Sequence, residues 1–261
     1  MGREHRFVFG EVADLYDRVR PGYPKALVDD VLGFCGLPAP RVLEVGAGTG
    51  KATVAFAARG LEIVALEPTA EMAAVAVRNS AAYPTVTVEV TTFEDWRGGG
   101  ARFDVVLAAQ SWHWLRPVVR CRKAHEQLRP GGIVALCWNL PVWEDVELRD
   151  ELDAVYERYA PALRRSPTFP VLQPEGEMSS MLDELRASRL FGPMTQRSYH
   201  RAVHYTLEQF LDLTSTHSDH RMLAEQERSA LLEGAAEVLE RRGGGCRMAY
   251  ETRLCVARAL T

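Results

Sequence analysis

Between residues 40 and 140 short apolar runs alternate with segments of helical spacing. Arg41–Val45 is apolar and β-branched, and a glycine loop stops it. Lys51–Arg59 is Ala-rich and reads as a helix that Gly60 closes. Glu62–Leu66 is a second buried strand ending at Glu67-Pro68, after which Thr69 is placed to cap the helix Ala70–Asn79. Val86–Val90 alternates as a strand and Phe103–Ala108, apolar but for Asp104, is a fourth. A helix over Val118–Leu128, the turn Arg129–Gly132 and the strand Ile133–Trp138 complete the series. No helix is evident between Val90 and Phe103, where Gly98-Gly99-Gly100 reads as a loose connection.

Strands that are apolar throughout imply burial on both faces, hence a parallel sheet covered by helices. Right-handed crossovers then wind it doubly. After Asn139 the character changes: Asp145–Tyr159 is an amphipathic helix, 160–176 is irregular and proline-interrupted, and Met178–Ser188 is helical again. That stretch is too long for a tight connection and reads as a lid. Gln196–Tyr205 and Met248–Val256 read as two more strands, with helices over Leu207–Thr214 and Ala224–Arg242 between them. The expected fold is therefore α/β: a doubly wound, Rossmann-like, seven-stranded, mostly parallel sheet, helices on both faces, and a helical lid inserted after strand five. Three segments follow: a cofactor-binding core with N-terminal helices over 1–139, the lid over 140–195, and C-terminal strands and helices over 196–261 that complete the sheet.

Composition narrows the function. An apolar fraction of 47% in 261 residues supports a core that needs no staples. The net charge of −4, with both signs interspersed, disfavours nucleic-acid binding; the cluster from Arg116 to Lys123 reads as a solvated helix face. No apolar run is long enough to span a bilayer and Met1–His5 opens no signal peptide, so a cytoplasmic, non-membrane protein is expected. Cys35, Cys121, Cys137, Cys246 and Cys255 are scattered without C-x-x-C spacing, which points to free thiols and away from structural zinc. No metal-ligand spacing stands out either. The sequence sets no oligomeric state.

The loop Glu44-Val45-Gly46-Ala47-Gly48-Thr49-Gly50 carries the chemistry. Glycines after a first strand let a ligand approach backbone N–H groups at a helix N-terminus. Their alternate spacing matches neither the G-x-G-x-x-G dinucleotide fingerprint nor a phosphate loop. Glu67, ending the second strand, can accept hydrogen bonds from both hydroxyls of an adenosine ribose. Its competing reading is a charge favouring the following helix dipole.

With these residues the chain resembles the class I S-adenosylmethionine-dependent methyltransferases. Within them it is most similar to a small-molecule group that includes the trans-aconitate methyltransferase-like enzymes, with a type 11 methyltransferase domain. The resemblance rests on Phe9-Gly10, Tyr16-Asp17-Arg18 and Arg20-Pro21-Gly22-Tyr23-Pro24; on Val42–Gly50 and Ala65–Pro68; and on Ala109–Trp114, Leu128–Gly132 and Cys137-Trp138-Asn139. It covers most of residues 7–140, with weaker similarity at Thr214–Ser218. It implies S-adenosyl-L-methionine as cofactor, S-adenosyl-L-homocysteine as product, and a small-molecule acceptor. Implied cofactor contacts are Tyr16, Arg20, Tyr23, Glu44, Gly46, Gly48, Glu67, Pro68, Thr92, Phe93, Gln110 and Trp112. Gly46 and Gly48 would approach the methionine and ribose portions, and Gln110 the methionine moiety. Either the Phe93 backbone N–H or the Thr92 side chain would meet adenine, although family members often carry a small residue where Phe93 stands.

Methyl transfer from a sulfonium is an in-line displacement that needs alignment and desolvation. Tyr16, Tyr23, Trp112 and Trp114 could face the sulfonium through cation–π attraction; for the tryptophans, wall packing is an equal reading. His113 lies between them and is the first candidate for a general base toward a phenol, alcohol or amine, against a buried structural role. Arg20 could pair with a carboxylate of cofactor or substrate, or tie down the N-terminal helix. The strand-four run lacks the Asn/Asp-Pro-Pro-aromatic pattern of amino-directed DNA methyltransferases. A competing function is a non-catalytic, cofactor-binding regulatory protein of the same fold.

Overall fold

The computed structural model describes residues 10–98, 102–165 and 174–261. Phe9 of the N-terminal signature, Gly99-Gly100 and part of the irregular stretch 160–176 lie outside the described residues.

Two helices, α1 (Ala13–Val19) and α2 (Lys25–Cys35), precede the sheet. Arg20 leaves the helix with ψ 136° ahead of Pro21, whose ring disfavours a helical residue before it. Gly36, at φ 77°, closes α2 with its N–H on the Leu32 carbonyl. Then come β1 (Val42–Val45), α3 (Lys51–Ala57), β2 (Ile63–Glu67), α4 (Ala70–Ser80), β3 (Val86–Val90) and β4 (Phe103–Ala109). A 3-10 turn over Trp112–Trp114 leads to α5 (Pro117–Gln127), β5 (Leu128–Val142) and α6 (Val146–Tyr159). A second 3-10 turn, Pro161–Arg165, is followed by α7 (Pro174–Ala187), β6 (Thr195–Thr206), α8 (Leu207–Ser215), α9 (Ser218–Met222), α10 (Glu225–Arg241) and β7 (Gly245–Arg258).

The sheet has seven strands in the order β3-β2-β1-β4-β5-β7-β6, and β3, β2, β1, β4 and β5 pair in parallel. With the helices inserted after strand five, this is the expected Rossmann-like architecture. The winding reverses between β1 and β4, and ligands of such sheets bind outside the carboxyl ends of the strands at that reversal. The apolar runs of β1 and β2 are buried along their whole length, whereas β3 at the sheet edge is only partly covered.

Three local expectations need correction. The turn expected over Arg129–Gly132 is drawn into β5, which already pairs at Leu128 with Phe103 before a register irregularity between Phe103 and Val105. Arg129 pairs with the Asp104 carboxylate at 3.1 Å, and Gly131 (φ 78°) supplies the bend. Thr69 holds the N-cap position of α4 but makes no side-chain cap bond. The Glu67 carboxylate accepts the Thr69 N–H instead, at 3.0 Å. Finally, α3 ends at Ala57, and Gly60 (φ 77°) turns the chain just beyond it.

The chain forms two compact units. One comprises Pro21–Asn139, Met178–Tyr199 and Thr252–Thr261. Its core joins Leu27 and Val31 of α2, Phe56 of α3, and Val42, Ile63, Val105 and Ile133 of four strands. The other comprises Met1–Arg20, Leu140–Glu177 and His200–Glu251, so far as these are described. There Leu148, Leu152 and Tyr156 present one face of α6 at helical spacing, packed in a cluster with Leu231, Ala235 and Val238 of α10. Gly234 lets the two helices close: a β-carbon there would meet Val155 Cγ1 at 2.8 Å. Fully burying each such aliphatic side chain stabilises the fold by ~1.5–3 kcal/mol.

Candidate functional site

The three loop glycines all have positive φ (70° at Gly46, 59° at Gly48, 82° at Gly50), a conformation L side chains avoid. Their surroundings differ. A β-carbon at Gly46 would lie 2.5 Å from the Ser111 β-carbon, and at Gly50 it would lie 3.2 Å from the backbone of Ala76 in α4. At Gly48 it would meet only the flexible end of Met72, at 3.6 Å. Gly46 thus packs the loop on the end of β4, Gly50 lets α4 close on the start of α3, and Gly48 leaves open backbone. The Ser111 hydroxyl donates to the Val45 carbonyl, and the Gly46 and Ala47 N–H groups donate to Leu66 at 2.8 and 2.9 Å. Three strand ends are thereby locked together.

Two carboxylates lie beneath the loop. Glu67 accepts from the Gly48 N–H at 2.8 Å and from the Thr69 N–H, so it ties the loop to the entry of α4. Burial raises its pKa, and these backbone donors oppose the rise. Glu44 is 1% exposed. One of its oxygens accepts the Thr53 hydroxyl at 2.6 Å; Oε1 has no partner among the described residues. Burial first, and the nearby Glu67 charge second, push its pKa up to about 8. A buried acceptor left unpaired costs ~1–3 kcal/mol. An ammonium donor arriving at Oε1 would remove that cost.

Thr92 uses its hydroxyl within its own turn: it donates to Asp95 at 2.7 Å and accepts the Asp95 N–H at 3.1 Å. The Phe93 ring is buried beneath the Lys123 ammonium, 5.3 Å from its centroid. Lys123 in turn donates to the Glu94 and Trp96 carbonyls at 2.9 and 2.6 Å. The large Phe93 is accommodated because its ring goes to the core under a lysine that caps the turn.

Beyond β4, Gln110 adopts φ 59°, a left-handed conformation that is strained for a residue with a side chain and clusters at functional sites. Its backbone N–H donates to Cys137 at 2.9 Å and its amide donates to the Asn139 carbonyl at 3.0 Å. Asn139 also donates to Pro21 and Gly22 at 3.3 and 3.2 Å and accepts the Thr252 hydroxyl at 2.6 Å. Asn139 thus fixes Gln110, the Pro21–Tyr23 signature and β7 at once. Sequence reasoning took it only as part of a strand-end motif, since nothing local marks a partner 118 positions away. Tyr23 packs against the core of the same unit.

Trp112 is fully buried, with the Arg120 guanidinium 5.6 Å from its ring. Arg120 also donates to the Trp112 carbonyl at 2.9 Å and grips Glu184 of α7 through two nitrogens. His113 stacks obliquely on Trp114, centroids 4.8 Å apart. Burial, with the Arg120 charge second, lowers its pKa to about 4, so the ring is neutral at physiological pH and a weaker base than an exposed histidine. Of the expected contacts, Tyr23, Glu44, Gly46, Gly48, Glu67, Pro68, Thr92, Phe93, Gln110, Trp112 and His113 fall in one unit, while Tyr16 and Arg20 fall in the other. No group of three or more His, Cys, Asp or Glu able to hold a metal exists among the described residues. No described helix is long and apolar enough to cross a membrane.

Residues 42–132, the span from β1 to the start of β5, match the family model of a methyltransferase domain. An uncharacterized methyltransferase of Mycobacterium tuberculosis is 39% identical over 137 residues, which are 52% of this chain and 54% of the relative. The chain spans about half the length of that relative. An uncharacterized methyltransferase of Schizosaccharomyces pombe is 24% identical over 232 residues, 88% of this chain and 86% of its own. Among solved structures, a chain from Anaeromyxobacter dehalogenans provisionally described as a type II methyltransferase shares the fold, with a TM-score of 0.59, 21% identity and coverage of 92% and 97%. Residues 42–132 are thus similar to methyltransferase domains, and the sheet around them has the Rossmann-like fold.

Proposed function

We propose that the protein is an active S-adenosylmethionine-dependent methyltransferase of a small-molecule acceptor, methylating an oxygen, nitrogen or carbon nucleophile. The observation that carries this is the unpartnered, fully buried Glu44 oxygen beneath an alternate-glycine loop whose middle glycine faces only the flexible end of Met72. The donor set fits the cofactor. Glu44 has an acceptor for the amino group, Glu67 has lone pairs left for a ribose diol, and Gly48 leaves room above the backbone. Pro68 and the Phe93 backbone would line the adenine, because the Thr92 hydroxyl is already committed to its turn.

When bound, the cofactor supplies an electrophilic methyl group on a sulfonium. The chain's own task is then alignment and exclusion of water. Gln110, held by Asn139, sets the floor of the transfer site, and Trp112, fixed by Arg120, forms its wall. His113, already neutral, takes the proton from an alcohol, phenol or amine acceptor at its unprotonated ring nitrogen. A carboxylate acceptor would need no base.

Within the family, the motifs support a place beside the trans-aconitate methyltransferase-like group, with residues 140–195 as the source of acceptor selectivity. Five free, buried cysteines support a cytoplasmic setting. The test is calorimetry with S-adenosylhomocysteine on the wild type, Gly48→Val and Glu67→Ala, with folding checked by circular dichroism. Binding lost in both folded variants is the expected result, and undiminished binding overturns the cofactor assignment. Incubating metabolite pools with methyl-labelled cofactor then tests turnover; binding without any labelled product would favour a regulatory protein of the same fold.

A further inference from the structure

The basic stretch along α5 is not one uniformly solvated face. Arg116 is mostly exposed and lies 3.8 Å from Glu94, and Arg122 pairs with Glu126 at the surface. Lys123 is committed to the Glu94 and Trp96 carbonyls. Arg120 differs from all of them, for its side chain is only 6% exposed. Every nitrogen of its guanidinium has a partner. Nε donates to the two Glu184 oxygens at 3.2 and 3.0 Å, and Nη2 donates to the same carboxylate. Nη1 donates to the Trp112 carbonyl at 2.9 Å. The fork therefore faces two ways: one edge takes a carboxylate of α7, and the remaining nitrogen holds the backbone of the Trp112–Trp114 turn.

That carboxylate comes from a helix of the same unit. From Met178 onward α7 shares a unit with β4, α5 and the Trp112–Trp114 turn. Met178, Met181, Leu182 and Leu185 recur along it at helical spacing, all buried, so Glu184 is presented from an anchored helix. Cys121 adds a further contact, its Sγ 3.7 Å from Glu184 Oε1. An ion pair taken this far out of water is often no better than a well-packed apolar pair at holding two helices together. What an arginine fork adds is direction, because its planar donors fix the carboxylate and the carbonyl relative to each other. The residue after the held carbonyl is His113, whose ring stacks on Trp114 with centroids 4.8 Å apart. The guanidinium also covers the Trp112 ring, 5.6 Å from its centroid.

We propose that Glu184 is a positioning residue for methyl transfer: acting through the Arg120 fork, it sets the Trp112–Trp114 turn and so the place of the His113 ring. Its role in transfer rests on the methyltransferase reading; the brace itself does not.

The experiment compares the wild type with Glu184→Gln, Arg120→Lys and the double variant Arg120→Met/Glu184→Leu. NMR reads the His113 ring protons, whose ring-current displacement reports the stack on Trp114, with Trp114→Leu giving the unstacked value. Circular dichroism and thermal unfolding confirm that each variant folds. Incubation of metabolite pools with methyl-labelled S-adenosylmethionine reads transfer. Glu184→Gln keeps the size of the side chain and loses its charge, whereas Arg120→Lys keeps the cation and loses the fork. Each should lose most of the displacement and most of the labelled product. The double variant fills the space with apolar groups, so it should regain stability without regaining either signal. A role confined to stability would instead return displacement and labelling together with the thermal midpoint. Wild-type ring shifts in folded Glu184→Gln and Arg120→Lys would overturn the proposal, and so would displaced rings with undiminished labelling. A wild type that binds no S-adenosylhomocysteine in calorimetry and yields no labelled product would overturn the methyltransferase reading, and the ring shifts would still decide the brace.

Discussion

A β-carbon on Gly46 would sit 2.5 Å from the β-carbon of Ser111, so the first loop glycine is a packing requirement between the ends of β1 and β4. The middle glycine is different: at Gly48 only the mobile end of Met72 is near, at 3.6 Å. Gly46→Ala combines overpacking with a left-handed backbone and should destabilise the fold by ~2–4 kcal/mol. Gly48→Ala should cost only ~1–2 kcal/mol, the backbone contribution alone. Chemical denaturation separates the two. Both variants should lose S-adenosylhomocysteine affinity, so equal stabilities would contradict the division of labour.

Glu44 makes stability depend on pH in an unusual direction. Its folded pKa, about 8, lies above its ordinary value of 4.5, so the folded state holds the proton more tightly. This contribution is full below about pH 4.5 and is lost as pH rises toward 8. The free energy of unfolding of the wild type should therefore fall across that interval more steeply than that of Glu44→Gln. S-adenosylhomocysteine, whose ammonium needs the ionised carboxylate, should bind the wild type more tightly at pH 8.5 than at 6.5. In Glu44→Gln binding should be weaker and lack that rise.

Arg120→Met should be strongly destabilising, by ~3–5 kcal/mol, because it strands Glu184 and frees the Trp112 carbonyl. Adding Glu184→Leu should recover part of the loss. The His113 ring, titrated by NMR, should move up from about 4 when the neighbouring cation is removed, yet stay below the ordinary 6.5, since burial is the larger cause.

Gln110→Gly relieves a positive φ worth ~1 kcal/mol and removes one hydrogen bond of similar size. Its thermal midpoint should therefore stay near that of the wild type, while methyl transfer to any acceptor found in the labelling screen falls. A large gain in stability with activity retained would remove Gln110 from the site.

Much of the sheet could be read from the chain because β1, β2 and β4 are mostly apolar, with one carboxylate each, and two-sided burial favours such runs. The glycine loop and Glu67 were legible for a similar reason: spacing and position suffice to mark them. What stayed hidden depends on contacts far apart in sequence. The Arg120–Glu184 clamp joins α5 to α7, and no pattern around either residue announces it. Asn139 gathers four partners from three distant segments. Thr69 shows how a local rule is only half obeyed, for it holds the N-cap position without a side-chain cap bond while its N–H is taken by Glu67. The turn over Arg129–Gly132 became strand because Asp104 draws Arg129 to the sheet.

The five thiols are all buried and unpaired, and burial raises every one of them, to about 11 at Cys246 and about 12 at Cys121 and Cys255. A thiol reacts as its thiolate, so burial and the raised pKa values both disfavour reaction of these thiols in the native molecule. The protein thereby carries its own opening clock. Because Cys246 lies in one unit and the other four in the second, the order in which an alkylating reagent labels them would report which unit opens first.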